Sequence, residues 1–125
     1  MTQLAICVSC YTARGMGGME VELEPEVVDW LSSLDIVAFE VVEAHIDLLA
    51  EFGSALRMPH SRPLGEGLFE LRFDMARQSW RLTYWFATRG TTVMLTVFRK
   101  QRNNERHEVA RAREAMKRCQ GGHQP

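Results

Sequence analysis

Residues 68–98 read LFELRFDMARQSWRLTYWFATRGTTVMLTVF, and this stretch decides the fold. It contains three short runs in which apolar and polar residues alternate, LFELRF (68–73), WRLTYWFA (80–87) and TVMLTVF (92–98). A period of two residues predicts β-strands. The links are short, and Gly90 in the second link can adopt the positive φ of a tight turn. We therefore predict an antiparallel three-stranded meander.

Alternation assigns the side chains of the meander to two faces. One face is apolar and carries Phe69, Leu71, Phe73, Trp80, Leu82, Tyr84 and Phe86. The opposite face carries Glu70, Arg72, Arg81, Thr83 and Trp85. In the last run, the same rule predicts that Val93, Leu95 and Val97 lie opposite Met94, Thr96 and Phe98. Arg72 and Arg81 are thus expected to project from the same face of neighbouring strands.

The segments before the meander predict one strand and two helices. MEVELEP (19–25) alternates and predicts a short strand, and Pro25 suits the first turn of a helix that continues through residue 34. Asp35 is a good N-cap for a second helix over 36–52, and Gly53 is a suitable end for it. Residues 54–67 contain two prolines and two glycines, and we predict a loop there.

Helical spacing returns after the meander, from about Asn103 to Arg118. The resulting order is β-α-α-β-β-β-α, which predicts an α+β domain. Its antiparallel-rich sheet is packed by the two N-terminal helices on one face. The C-terminal helix either covers the other face or leaves it open to a ligand.

Composition is typical of a single globular domain. The chain has 125 residues, 46% of them hydrophobic, and no apolar run approaches the ~18 residues of a membrane span. The N-terminus lacks the basic segment of a signal peptide, so we expect a cytoplasmic protein with no membrane role. Cys7 and Cys10 form a lone C-x-x-C, which we interpret as a chance pair because a zinc site needs about four ligands.

Domain boundaries follow from where the pattern begins and ends. We predict a disordered leader or start-site extension over 1–18, with Met1, Met16 and Met19 as alternative starts. The domain itself covers 19–118, and residues 119–125 form a tail that frays.

Charge is divided unequally along the chain. Residues 1–53 contain ten acidic residues and one basic residue, whereas residues 54–125 contain fourteen basic and six acidic residues. A basic region of this kind is typical of a nucleic-acid-binding face, although an acidic helix packed on a basic sheet would give the same division. Glu70 is the obvious ion-pair partner for Arg72 alone. For the whole set, phosphate binding is the better interpretation: Arg72, Arg81, Arg99, Lys100 and Arg102.

The runs RPLGEGLFELRF, WRLTYWFA and TVMLTVFRKQ, followed by an Arg- and Glu-rich helix, together resemble the HigB-like branch of the RelE/ParE toxin superfamily. The resemblance covers roughly residues 19–117. It implies a RelE-like fold and the toxin of a type II toxin–antitoxin pair, a ribosome-dependent endoribonuclease that cleaves mRNA without a metal; we expect no cofactor. It also implies a cognate helix-turn-helix antitoxin that binds the toxin in a hetero-oligomer, with mRNA and the ribosome as further partners.

Carried over residue by residue, the resemblance implies a phosphate clamp of Arg72 and Arg81. Lys100 would bind phosphate or move a proton. His107 lies where relatives have a different, proline-containing segment, and it is a candidate for acid–base work, as is His60. Tyr84 could act as an acid or stack on a base, but its alternation favours packing in the core. Contacts to RNA are expected from Arg62, Arg99, Arg102 and Arg106.

Two other functions remain open from the sequence. One is a ParE-like toxin that poisons DNA gyrase through a protein contact. The other is a non-catalytic RNA- or protein-binding module. The basic meander favours the nuclease, because gyrase poisoning does not require a phosphate clamp on the sheet.

Overall fold

The computed structural model describes residues 9–12, 20–87 and 90–122. The elements, in chain order, are β1 (Ser9–Thr12), β2 (Glu20–Leu23), α1 (Pro25–Ser32), α2 (Ile36–Phe52), a 3-10 helix (Gly53–Ala55), β3 (Ser61–Gly65), β4 (Leu68–Met75), β5 (Gln78–Phe86), β6 (Thr91–Arg99) and α3 (Glu105–Gly122). The α+β class and the C-terminal helix are therefore confirmed. Assignment of the topology to the RelE type stays a prediction.

The described strands form one six-stranded sheet in the order β1-β2-β6-β5-β4-β3. Strands β4, β5 and β6 pair antiparallel as the predicted meander. Strand β2 lies parallel to β6, because the chain crosses over through α1 and α2 before the meander begins. The sheet is consequently mixed but mostly antiparallel.

Helices α1 and α2 both begin where the sequence predicts, and α2 also ends there, whereas α1 ends at Ser32 instead of continuing through residue 34. Pro25 occupies the first turn of α1. Oδ1 of Asp35 accepts a hydrogen bond from the Ala38 N–H at 2.8 Å, which caps α2, and Gly53 ends α2 with a φ of 53°. Both helices pack on one sheet face, where they bury the apolar side chains of β4 and β5. That face forms the main core.

Strand β3 corrects the prediction of a loop over residues 54–67. It lies at the edge of the sheet and pairs with β4, with a shift in register between Pro63 and Gly65. Proline has no N–H to donate, so it is tolerated on an edge strand, where one side of the backbone has no partner strand. A strand that contains proline and a bulge lacks the regular alternation on which the sequence prediction rests. The pairing places Arg62 directly opposite Glu70.

A bulge in β6 corrects the predicted faces of that strand. Leu82 pairs with Val97 and Tyr84 with Met94, so β6 has one residue more than β5 in this interval. Met94 and Val97 consequently face α1 and α2, whereas Val93 and Leu95 face the other side. The prediction that Val97 shares a face with Val93 and Leu95 was wrong.

Helix α3 packs on the second face of the sheet and covers only part of it. Ala112, Met116 and Cys119 contact Leu68, Val93 and Leu95 in a second, smaller core. The remaining part of this face, toward the other end of β4 and β5, carries Glu70, Arg72 and Arg81. Each of the two alternatives considered for this face therefore applies to a different part of it: α3 covers one part and leaves the other part open.

The predicted leader and tail each contribute to the described structure. Residues 9–12 of the leader form β1, and residues 119–122 of the tail belong to α3, with Cys119 buried. The rest of both segments, Cys7 and the side chain of Cys10 lie outside the described residues. The domain boundaries therefore stay predictions. Among the described residues, no helix combines the length and apolarity needed to cross a bilayer.

Candidate functional site

Arg72 and Arg81 lie directly opposite each other in the paired strands β4 and β5. Because paired residues of neighbouring strands project to the same side, both guanidinium groups reach the face that α3 leaves open. The prediction that these two arginines share a face is confirmed. Their exposure differs, however: the Arg72 side chain is 26% exposed and that of Arg81 is 7% exposed.

A buried carboxylate holds this arginine pair together with a third arginine. Glu70 has no solvent exposure, and its Oε2 lies 3.6 Å from Nε of Arg81, 3.8 Å from Nε of Arg72 and 3.9 Å from Nη1 of Arg62. The three arginines come from three adjacent strands, β3, β4 and β5. We call Arg62, Arg72, Arg81 and Glu70 the arginine cluster.

The arginine cluster is held by charge more than by hydrogen bonds. Within the described part of the chain, neither carboxylate oxygen of Glu70 nor Nε of Arg81 has a hydrogen-bond partner. Burial raises the pKa of Glu70 above its usual value, although the three guanidinium groups act in the opposite direction. Burial likewise lowers the pKa of Arg81, against the effect of Glu70. A cluster with three cations and one anion retains a positive charge that can attract an external anion.

Arg81 also borders a wide basic cleft beside the arginine cluster. This cleft, here called the cation cleft, has a volume of about 800 Å³ and is lined by the end of β6, the residues after it and the β4–β5 turn. The backbone N–H of Lys100 donates to the Ser79 carbonyl at 2.8 Å, which fixes the exit of β6 against the start of β5. The cations that line the cleft are Arg77, Arg81, Arg99, Lys100 and Arg102.

A second cleft shares Arg81 and Ser79 with the cation cleft and adds two histidines. This histidine cleft has a volume of about 440 Å³, and Arg72, Arg81, His45 and His60 line it. The rings of His45 and His60 have centroids 6.3 Å apart. Nδ1 of His45 lies 2.8 Å from the carbonyl oxygen of Val41, to which it donates. The structure thus places imidazole groups next to the arginine pair.

The other predicted site residues lie at different distances from the arginine pair. Arg99 and Arg102 line the cation cleft with Arg81 and are exposed. Lys100 also lines a smaller hollow of about 500 Å³ with Arg106, formed by the residues that follow β6 and the start of α3. His107 is exposed in the first turns of α3 and is not among the residues that line these three clefts. Its acid–base role stays a prediction.

Three residues near the site were missed or undervalued in the sequence. Arg77 reaches the cation cleft from the β4–β5 turn, and Glu105 contacts both Arg62 and Lys100. From the sequence, His60 is a candidate on the same footing as His107, because it lies in a segment that predicts a loop and the sequence does not show that this loop borders the arginines. Tyr84, in contrast, packs as expected. It is 1% exposed, its hydroxyl bonds to Oγ of Ser61, and burial raises its pKa.

The donor types at the site favour binding of an anion. Its polar groups are mostly guanidinium and ammonium groups, which donate hydrogen bonds and carry positive charge. Among the described residues, no three His, Cys, Asp or Glu side chains are grouped in a way that could hold a metal ion. Two guanidinium groups, with an ammonium group in one adjoining cleft and an imidazole in the other, can bind a phosphate, stabilise added negative charge on it and move a proton.

Comparison with known proteins identifies a family to which the chain is similar. The model of a family described as phage derived protein Gp49-like (DUF891) matches residues 29–117, well over half of the chain. The matched region includes α2, the meander and most of α3. Neither the curated proteins nor the solved structures gave a significant match.

Proposed function

This chain belongs to the Gp49-like family of phage-derived proteins, and we propose that it is the toxin of a type II toxin–antitoxin pair that cleaves mRNA on the ribosome. The family is associated with RelE-like toxins, and the HigB-like resemblance of the meander points the same way. The observation that carries the proposal is the arrangement of Arg72 and Arg81. They lie opposite each other on the open face, next to Lys100 on one side and His60 on the other.

In the proposed reaction, the RNA supplies its own nucleophile. A 2′-hydroxyl loses its proton, its oxygen forms a bond to the adjacent phosphorus, and the bond from phosphorus to the 5′ oxygen breaks. The products are a 2′,3′-cyclic phosphate and a free 5′-hydroxyl, so one proton must leave the 2′ oxygen and one must reach the 5′ oxygen. The protein has to stabilise the pentacovalent phosphate and to transfer these protons.

The cations of the site fit the first requirement. Arg72 is partly exposed and can bind the non-bridging oxygens of the phosphate directly. Arg81 is nearly buried, so it stabilises the phosphate mainly through the positive charge of its guanidinium group. Lys100 is 38% exposed at the end of β6 and can bind the same phosphate or its neighbour. In a site partly shielded from water, each well-placed donor contributes about 2–4 kcal/mol to the stability of the transition state.

His60 fits the second requirement better than the other histidines do. It lies in the histidine cleft with both arginines, and imidazole is the side chain best suited to accept and donate protons near neutral pH. His45 shares this cleft, but its Nδ1 is engaged by the Val41 carbonyl. We therefore propose that His60 moves the proton and that Arg72, Arg81 and Lys100 stabilise the phosphate.

The nuclease proposal is tested by cleavage of mRNA in a reconstituted translation system, with mapping of the new 5′ ends. The double variant R72A/K100A should lose at least 10²-fold in cleavage rate and should lose toxicity. The double variant K117A/R118A removes the same charge from the exposed C-terminal part of α3 and should cleave normally. The triple variant R72A/R81A/K100A, which lacks all three cations proposed to bind the phosphate, should not cleave mRNA.

Survival of both toxicity and cleavage in the triple variant R72A/R81A/K100A would refute the proposal. Toxicity without cleavage, together with inhibition of DNA supercoiling by gyrase, would instead support the ParE-like function. Salt-dependent RNA binding without cleavage or toxicity would support the non-catalytic module. Circular dichroism of each variant shows whether the fold is intact.

The proposed partner is a small helix-turn-helix antitoxin. Because the site is basic, an acidic segment of the antitoxin should bind the cation cleft or the groove beside α3 and block RNA. A neighbouring gene for such a protein, and its co-purification with this chain as a hetero-oligomer, are the expected results. An antitoxin that binds R72A/K100A as tightly as the wild type would place its binding site elsewhere.

A further inference from the structure

A second carboxylate besides Glu70 contacts the basic face, at the start of α3. Oε2 of Glu105 lies 3.5 Å from Nη1 of Arg62, and Oε1 lies 3.5 Å from Nζ of Lys100. Each carboxylate oxygen therefore faces a different cation. The side chain of Glu105 bridges the edge strand β3 and the end of β6.

This bridge is continuous with the arginine cluster. The same Nη1 of Arg62 that contacts Glu105 lies 3.9 Å from Oε2 of Glu70. Along the series Arg81, Lys100 and Arg62, the exposed fraction of the side chain increases from 7% to 38% and 48%. Arg62 and Lys100 are thus the members of the series that a ligand in solution can reach most easily.

Hydrogen bonds from the neighbouring Asn104 to the backbone, as well as attraction between charges, fix the position of Glu105. Oδ1 of Asn104 accepts from the N–H of Gln101 at 2.9 Å, and its Nδ2 donates to the carbonyl of Arg99 at 3.0 Å. These bonds hold the first turn of α3 against the end of β6. The side chain of Glu105, in contrast, is 34% exposed, so a change of rotamer would release both cations without moving the helix.

Resting on the function proposed above, we propose that Arg62 and Lys100 form a phosphodiester-binding subsite that the Glu105 carboxylate occupies in the free protein. A carboxylate and a phosphodiester each present two anionic oxygens to the same donors. Partly exposed ion pairs are weak, so a phosphate of a bound RNA can replace Glu105. Each binding event then has to displace this carboxylate, which lowers the affinity for RNA.

The test compares E105Q with the matched variant E114Q. Both substitutions remove one negative charge from α3 and preserve the shape of the side chain, but Glu114 is exposed and lies in the second half of the helix. The probe is a fluorescent hexanucleotide RNA with 2′-O-methyl groups, which cannot be cleaved, and binding is measured by fluorescence anisotropy at two salt concentrations. E105Q should bind about three- to tenfold more tightly than the wild type, whereas E114Q should change the affinity less than about twofold.

Three results would overturn the subsite. Equal tightening in both variants would mean that overall charge accounts for the effect, and weaker binding by E105Q would mean that Glu105 positions the cations for RNA. Unchanged binding with loss of cleavage in E105Q would assign proton transfer to Glu105. The proposed function fails separately, if the wild type shows no salt-dependent binding of this RNA and no cleavage of mRNA.

Discussion

Oε2 of Glu70 lies 3.6 Å from Nε of Arg81, and both side chains are almost completely shielded from solvent. A buried ion pair of this kind loses hydration on both partners, and the attraction between them compensates for that loss only in part. The surplus of guanidinium groups around one carboxylate leaves the arginine cluster positive. The proposed phosphate site is thus built on a pair that costs the fold some stability.

The charge state of Glu70 should make the stability of the protein depend on pH. Because burial raises its pKa from the model-peptide value of 4.5, the folded state binds this proton more tightly than the unfolded state does. The contribution of Glu70 to stability is then fully present below pH 4.5 and decreases as the pH rises through the pKa of the folded state. We expect the free energy of unfolding of the wild type to fall relative to that of E70Q over this range.

Urea denaturation of wild type and E70Q, at intervals from pH 4 to pH 8, measures this difference. The comparison cancels the other titrating groups, which both proteins share. A wild type that gains stability relative to E70Q as the pH rises would show that Arg62, Arg72 and Arg81 outweigh burial, and that the pKa of Glu70 is depressed.

Arg111 and Glu26 connect the helices on the two faces of the sheet. Nη1 of Arg111 donates to Oε1 of Glu26 at 2.6 Å, and Nη2 donates to Oε2 at 3.0 Å. The same two side chains bond the backbone N–H and carbonyl of Val97, in a part of β6 that lies beyond its pairing with β2. Glu26 and Arg111 thus take the place of a neighbouring strand.

Removal of this pair should destabilise the fold. R111A should lower the free energy of unfolding by about 1–2 kcal/mol, because a bidentate ion pair and a bond to the backbone are lost together. R118A, on the exposed side of the same helix, should stay within about 0.5 kcal/mol of the wild type. In a double-mutant cycle, E26A and R111A should be less than additive; additive effects would show that the two side chains do not interact in solution.

Much of the fold could be predicted because its signals are local. The alternation in β4 and β5 and the capping residues Pro25, Asp35 and Gly53 depend on neighbours in the chain. The placement of Arg72 and Arg81 on the same face also follows from alternation, once the meander is recognised. The prediction of these features does not depend on how the helices pack on the sheet.

The features that could not be predicted depend on contacts between distant segments. Strand β3 is compatible with Pro63 because it lies at the edge of the sheet, and at the bulge in β6 the hydroxyl of Thr83 accepts from the backbone N–H of Thr96 at 3.0 Å. Glu105 reaches Arg62 only because α3 folds back over the sheet. No short window of sequence contains both partners of these contacts.

The two candidate histidines can be separated by substitution. H60Q should lower the rate of mRNA cleavage by about 10²–10⁴-fold, because a group that moves a proton is lost. It should leave the affinity for the 2′-O-methyl RNA nearly unchanged, since the cations that bind phosphate remain. H107Q should have little effect on the cleavage rate, because His107 lies outside the cleft that contains Arg72 and Arg81.

Rates of mRNA cleavage are compared for the wild type, H60Q and H107Q at saturating ribosome concentration. Loss of activity in H107Q with full activity in H60Q would transfer the role to His107. Full activity in both would show that neither histidine moves the proton.

The turn between β4 and β5 offers a stabilising substitution. Ala76 and Arg77 form a two-residue connection in which both have a positive φ, 54° and 66°, as in a type I′ turn. Alanine pays a steric cost in this region, whereas asparagine adopts it readily and is favoured at the first position of such turns. Because the Ala76 side chain is exposed, A76N should raise the free energy of unfolding by about 0.5–1 kcal/mol.

The same substitution at the exposed residue Ala110, in the interior of α3, should lower the free energy of unfolding by about 0.5 kcal/mol, since asparagine has a low helix propensity. Thermal and urea denaturation followed by circular dichroism would measure both, and a loss of stability in A76N would contradict the positive φ at this turn.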